Sequence, residues 1–314
     1  MLKKKLKIGL IGFGRFGKKY FNNLINSSYF EVEFILKKKQ KKSNSPTKIF
    51  NDIKKINNIK IDGAIIASPS NTHYDLCRYF LSKNIPLILE KPAVNNFQEL
   101  KKLLILKKNK IPVLVNHSDL YNPLFQDILR FKKKIGRIKF IKLNFGKFDY
   151  QYTVKKKVLP ASDWLPHIFG TLTNFISKEF KVKIEYNKYK IIKKSYFQQL
   201  KINVLSKNDN YLSEILFSNF KTNRSVDIYG SNGIIRYDSY NHKKSFVKIN
   251  NKLFKFNDSK SITPMENLLK KFHYCIVKKK KINDLKIVYK YQKILDQINK
   301  KIKLNGIKIN KEIL

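Results

Sequence analysis

An aspartate and a histidine stand four residues apart in the stretch DWLPH, as Asp163 and His167. On a helix that spacing puts both on one face, so a carboxylate can hold one imidazole nitrogen and leave the other aimed at a substrate proton. A second group suits phosphate. Gly12, Gly14 and Gly17, with Phe13, Arg15 and Phe16 between them, follow an apolar run that includes Leu6, Ile8, Leu10 and Ile11. They open a pattern in which Tyr20, Phe21 and Leu24 share a helical face. In such a strand, turn and helix, the first glycine makes the turn, the second lets a pyrophosphate reach the backbone, and the third lets helix and strand pack closely. The phosphates then meet unpaired N–H groups at a helix N-terminus. A third group, Glu90, Lys91 and Pro92, closes an apolar run and places a cation between an acid and a proline.

The elements that would carry these residues alternate. Phe30–Leu36 reads as a second strand and ends in Lys37, Lys38 and Lys39, ~20 residues past the glycines, where an acid would bond the ribose of NAD. Lysines there favour the 2′-phosphate of NADP, or else form a solvated run with no ligand. A strand at 63–67 ends in Ser68, Pro69, Ser70, Asn71, Thr72 and His73; a helix spans 74–83, a strand 86–89, a helix 97–108 and a strand 112–115. This order predicts an α/β fold with a doubly wound parallel sheet over residues 1–120, with ligands beyond the carboxyl ends of the strands. Residues 123–131 read as a helix. From Gly136 the pattern turns to strands at 137–148, 181–192, 197–205, 212–217, 225–229, 233–237 and 246–256, interrupted by helices at 167–176, 264–277 and 284–301. Residues 121–314 are expected to form an α+β domain with a largely antiparallel open sheet.

Of the 314 residues 67 are basic and 22 acidic, a formal net charge of +45. The lysines are scattered through nearly every segment, so sequence-specific nucleic-acid binding is not expected, although general attraction to polyanions is. No run approaches the roughly 20 apolar residues of a membrane helix. The apolar stretch near Met1 is short, broken by Arg15 and continuous with a helix, unlike an export signal. Cys77 and Cys275 form no ligand-spaced pair, which points to a reducing cytoplasmic setting and no metal site.

With the glycine turn, the SPSNTH segment, the EKP triplet and DWLPH together, the chain resembles the Gfo/Idh/MocA family, named for glucose-fructose oxidoreductase and inositol dehydrogenase. The resemblance runs over essentially the whole length, including YGSNGIIRYD and TPMENLLKKFHYCI near the end. It implies a Rossmann domain for NADP or NAD, followed by a domain whose open sheet often forms a dimer or tetramer interface. It further implies that Lys91 lies beside the nicotinamide and the reacting hydroxyl and that Glu90 positions the cofactor. Asp163 and His167 match the acid and histidine of inositol dehydrogenase-like members. Ser68, Pro69, Asn71 and His73 would line the cofactor side; His73 has the alternative of a helix N-terminal residue without contact. Tyr121 falls where relatives bring substrate residues, with Leu120 in place of a frequent arginine, and Gly170 stands where many relatives carry an aspartate.

The resemblance implies reversible hydride transfer between a nicotinamide and a secondary hydroxyl or ketone of a sugar, sugar nucleotide or cyclitol. Two other classes share these features: a nicotinamide-binding regulator without catalysis, and a glycoside hydrolase that oxidises its substrate transiently.

Overall fold

The computed structural model describes residues 4–38, 47–106, 111–153, 158–176, 180–206, 211–256 and 262–304. Lys39 and the lysines at 155–157 lie outside them. The chain divides into two compact units: residues 1–126 with 259–289, and residues 127–258 with 290–314.

In the first unit six strands form one parallel sheet. They are β1 (Leu6–Ile11), β2 (Phe30–Leu36), β3 (Lys48–Phe50), β4 (Gly63–Ile66), β5 (Leu87–Leu89) and β6 (Val113–Val115). Their order in the sheet is β3-β2-β1-β4-β5-β6. The strands are short and wholly apolar at the centre, as they must be when both faces are covered. Helices α1 (Arg15–Ile25), α2 (His73–Ser82) and α3 (Phe97–Leu106) make the crossovers. Because the strand order reverses direction between β1 and β4, a crevice opens at their carboxyl ends.

The segment 259–289 returns to this unit, although the sequence pattern groups it with the second domain. The reason is the apolar stripe of the helix at Pro264–Val277. In the second unit β7 (Ile138–Gly146), α5 (Pro160–Leu172), β8 (Phe180–Ile192), β9 (Ser195–Ser206), β10 (Leu212–Ser218), β11 (Asn223–Gly230), β12 (Gly233–Asp238), β13 (Phe246–Ile249) and β14 (Lys252–Lys255) follow α4 (Pro123–Leu129). Then come α6 (Pro264–Val277) and α7 (Leu285–Leu304). Leu268, Leu269 and Phe272 of α6 join the core of the first sheet with Ile8, Leu10 and Phe30. Gly63 has no side chain, and a Cβ there would stand 2.9 Å from the Phe272 ring. After α6 the chain runs along the edge strand β6: Val113 N–H donates to Ile282 and Asp284 N–H donates to Val113, both at 2.9 Å. The buried carboxylate of Asp284 accepts from Val115 N–H at 3.0 Å and from the Tyr121 hydroxyl.

Eight strands make the second sheet, in the order β14-β13-β12-β11-β7-β10-β9-β8. All neighbours are antiparallel except β7 and β10, which are parallel. The stretch expected as one strand at 246–256 is a hairpin: Asn250 and Asn251 have φ of 48° and 51° and make a two-residue turn. Lys193 and Lys194 do the same between β8 and β9, with φ of 46° and 60°. Positive φ at both central residues matches the right-handed twist of a tight hairpin, and asparagine accepts it more readily than lysine. Helix α5 covers one face, on which Ile215 and Phe217 are buried. The alternate residues point the other way, and Tyr186, Leu205, Leu212 and Tyr229 are exposed there.

Asp284 should be the residue on which the return segment depends. Asp284→Ala leaves the buried Tyr121 hydroxyl and Val115 N–H without their acceptor, at a cost of about 2–3 kcal/mol. Urea unfolding followed by circular dichroism measures this; parent-like stability would show that apolar contacts alone hold the segment.

Candidate functional site

Each glycine of the first turn has its own steric reason. Gly12 has φ of +92°, and a Cβ there would lie 2.6 Å from the Ala67 carbonyl. At Gly17 a Cβ would come within 2.2 Å of Gly12 O, so helix and turn touch at that point. Gly14 is different. It is the N-cap of α1, and a Cβ added to it would meet nothing within 4 Å. The space above Gly14 is therefore left for something other than this chain.

That space belongs to a cleft of about 1180 Å³ lined by residues of the first unit. Of the sequence-expected residues, Gly12, Phe13, Gly14, Arg15, Phe16, Lys37, Ser68, Pro69, Asn71, Glu90 and Lys91 line it. Gly17 and His73 do not; both are buried beside it. The sequence missed Asn51, Ile53, Leu76, Arg78 and Tyr79, which also line the cleft and come from elements with no motif. Arg15, Lys37, Lys38, Arg78 and Lys91 are the cations of its lining. Lys37 Nζ lies 5.6 Å from the Phe13 ring centre, and Arg78 is 3.8 Å from Asp75 in an exposed pair. Such a cleft, with a glycine turn at a helix N-terminus and cations on its wall, fits a dinucleotide.

Polar bonds join the strand ends that form the floor. His73, 1% exposed, spans two loops: Nδ1 is 2.9 Å from Pro92 O and Nε2 is 2.9 Å from Ser68 O. Burial lowers its pKa, while the two carbonyls, which only accept, pull the other way. The Ser68 and Thr72 hydroxyls are 2.7 Å apart, and Thr72 donates to Pro69 O at 2.7 Å. Glu90 is 5% exposed and its Oε1 accepts from Asn116 Nδ2 at 2.7 Å. Burial raises the Glu90 carboxyl, opposed by the Asn116 amide, the Tyr20 hydroxyl and the Lys91 cation. Lys91 is half-buried and the Lys91–Pro92 peptide is cis. His117, 2% exposed, is lowered to about 4 by burial and by the charge of Lys91.

In the second unit Asp163 and His167 both lie on α5, which starts at Pro160 rather than near His167. Proline suits the first helical position, where its missing N–H costs nothing. Ala161 N–H donates to Gln198 Oε1 at 2.9 Å, anchoring that end of the helix to β9. Asp163 Oδ2 accepts from the Tyr152 hydroxyl at 2.9 Å, and Trp164 Nε1 donates to the same hydroxyl at 3.0 Å. Burial, then the neighbouring Asp163, push the Tyr152 phenol up. The rings of Trp164 and His167 are 6.2 Å apart. Tyr152 lies eleven residues before Asp163 with no helical spacing to reveal it.

Tyr121, expected as a substrate residue, is 1% exposed, and its hydroxyl is bonded to Asp284 in the core of the first unit.

Residues 6–117 match the Gfo/Idh/MocA model, described as an oxidoreductase family with an NAD-binding Rossmann fold. The uncharacterized oxidoreductase YgjR of Escherichia coli (strain K12) is 26% identical over 93 residues, a match spanning 29% of this chain and 28% of that relative. Among solved structures, a dehydrogenase from Chromobacterium violaceum superposes with a TM-score of 0.78 at 12% identity, covering 95% of each chain. An oxidoreductase from Agrobacterium radiobacter in complex with NAD+, L-tartaric acid and magnesium gives 0.76 at 14% identity, over 93% of this chain and 95% of that one. A 3-ketoreductase from Actinomadura kijaniata, in complex with NADP and TDP-benzene, gives 0.74 at 10% identity, over 95% and 98%. At these identities the structures establish a shared fold. The N-terminal sheet thus has a Rossmann fold, the fold that the matching family model describes. Among the described residues no helix is long and apolar enough to cross a membrane.

The three glycines should respond differently to a side chain. Gly14→Ala should fold with nearly parent stability, because its Cβ meets no protein atom within 4 Å, yet weaken NADP binding by ~10-fold or more by crowding the pyrophosphate. Gly17→Val should lower stability by ~2 kcal/mol or more through its clash with Gly12 O. Thermal melts and NADPH fluorescence titrations separate these outcomes; unchanged affinity in Gly14→Ala would place the phosphates elsewhere.

Proposed function

We propose that this protein is an NAD(P)-dependent oxidoreductase that transfers a hydride between a nicotinamide and a secondary hydroxyl or ketone of a sugar, sugar nucleotide or cyclitol. The observation that carries this reading is the single cleft lined by both the glycine turn and Lys91. A dinucleotide held by its phosphates at Gly14 would extend toward the strand ends, where a cation stands. When bound, the cofactor supplies the hydride chemistry. Lys91 stabilises negative charge on the substrate oxygen, and His167 accepts the hydroxyl proton as general base. Asp163 orients His167, and Tyr152 and Trp164 hold Asp163 in place. Ser68, Pro69, Asn71 and Glu90 bind or position the cofactor. His73 braces the turns on which they sit.

Arg15, Lys37, Lys38 and Arg78 support a preference for NADP, since its 2′-phosphate adds charge for them to neutralise. The exposed face of the second sheet, with Tyr186, Leu205, Leu212 and Tyr229, suits a second copy of the chain in a dimer or tetramer. Light scattering should then give at least twice the mass of one chain; a monomer at all concentrations would contradict this assembly.

Lys91→Ala and His167→Ala should each reduce hydride transfer by ~100-fold or more while leaving NADP affinity within about threefold of the parent, because neither residue holds the phosphates. Asp163→Asn should do less damage. Absorbance at the nicotinamide band, recorded over a panel of cyclitols, sugars and sugar nucleotides, follows the reaction. Parent-like turnover in both alanine variants would overturn the assignment. Cofactor binding with no turnover on any substrate would favour a regulator, and release of an aglycone without net reduction would favour a hydrolase.

A further inference from the structure

The register of the second sheet sets Arg224 of β11 opposite Phe145 of β7, and Phe217 of β10 continues the row. Residues directly opposite share a face, here the face that α5 covers, where Phe145 and Phe217 are buried. Trp164 of α5 closes over the row, its ring 6.4 Å from Phe145 and 6.3 Å from Phe217. Against these rings lies a half-buried cation. The Arg224 guanidinium carbon is 5.6 Å from the Phe145 ring centre and 5.7 Å from that of Trp164. Charge is ordinary on the opposite face, where Arg236 bonds Asp227 at 2.9 Å. On this face a guanidinium costs desolvation, and no apolar neighbour requires it. Trp164 also joins this cation to the acid and histidine of α5: its Nε1 shares the Tyr152 hydroxyl with Asp163, and its ring is 6.2 Å from that of His167. At 5.7 Å and 6.2 Å from one ring, guanidinium and imidazole are at most about 12 Å apart, close enough for one small molecule to touch both.

We propose that Arg224 is a specificity-determining residue that holds an anionic oxygen group, carboxylate or phosphate, of the substrate whose hydroxyl meets His167. This rests on the reading that His167 acts on the substrate hydroxyl. Aromatic rings take the faces of a guanidinium, while its five N–H donors lie in its plane and form a fork that matches two oxygens of a carboxylate or phosphate. Phe145 and Trp164 hold that fork in place, so little side-chain freedom is lost when an anion arrives. Neutral sugars and cyclitols lack such a group, whereas sugar acids, sugar phosphates and sugar nucleotides carry one.

Trp164 is the one tryptophan of the chain, so tryptophan emission reports on this row alone. Glucuronate, glucose 6-phosphate, glucose and myo-inositol are titrated against the full chain with and without NADP, and titration calorimetry repeats the affinities without the fluorophore. At least one of the two anions should bind ~10-fold or more tightly than glucose, the worth of hydrogen bonds to a charged group. Which of them does so separates a carboxylate from a phosphate substrate. In Arg224→Gln, folded by circular dichroism, charged and neutral sugars should bind within about threefold of each other, while Arg224→Lys should keep part of the preference. Equal affinities for charged and neutral sugars in the parent, no binding of either anion, or an intact preference in Arg224→Gln would overturn the proposal. No readout involves hydride transfer, so the functional reading fails separately, if His167→Ala turns over at the parent rate while the anion preference stands.

Discussion

The cleft at the glycine turn depends on how the carboxyl ends of β4 and β5 are tied together: Glu90 N–H donates to Ile66 O at 2.9 Å, and one buried side chain joins the loops beyond. The ring of His73 reaches Ser68 O on one side and Pro92 O on the other. Both contacts are to backbone, so they fix the path of the chain rather than one rotamer. Loop backbone at strand ends would otherwise be the least constrained part of such a sheet. With His73 in place the SPSNTH loop and the EKP turn become one surface. Asn116 extends the tie to β6 through Glu90, so three neighbouring strand ends share a continuous polar floor. Burying a carboxylate there is costly, and the Asn116 amide, the Tyr20 hydroxyl and the Lys91 cation together offset part of the cost.

The opposite wall is set by steric exclusion rather than bonding. Gly12 and Gly17 bring turn and helix together so closely that neither tolerates a Cβ, while Gly14 faces open space. The same three residues therefore serve packing and ligand access at once, and only the middle one can change without disturbing the fold. The edge of this sheet is protected from outside the first 126 residues, because the segment carrying Asp284 pairs with β6 and α6 fills the core beside Gly63. A Rossmann unit cut at residue 120 would lack both and expose the edge to other chains.

Local rules revealed most of the fold. The glycine spacing, the apolar parallel strands and the alternating second-domain strands are each short-range patterns, and the sheets follow from them. The Asn250–Asn251 hairpin is equally local, yet the apolar residues on either side of it read as one run. Lys193 and Lys194 carried no such signal, because lysine rarely takes positive φ. The place of 259–289 was hidden for another reason: an amphipathic helix shows that it has a buried face but not which core receives it. At the candidate site, Gly14, Glu90 and Lys91 were readable because they belong to motifs. Asn116 and Tyr152 were not, since each acts through a partner 26 or 11 residues away. Tyr121 shows the converse, a residue suggested by its place in a family pattern whose hydroxyl is held by an aspartate 163 residues away.

The proposed function puts a nicotinamide dinucleotide in the crevice between β1 and β4, with its phosphates on the glycine turn and its nicotinamide toward the EKP turn. A crystal structure of the protein grown with NADPH is the decisive measurement. It should show a pyrophosphate hydrogen-bonded to backbone N–H groups around Gly14, and a nicotinamide ring within contact of Lys91. Density for NADPH anywhere else, or a nicotinamide turned away from Lys91, would contradict it.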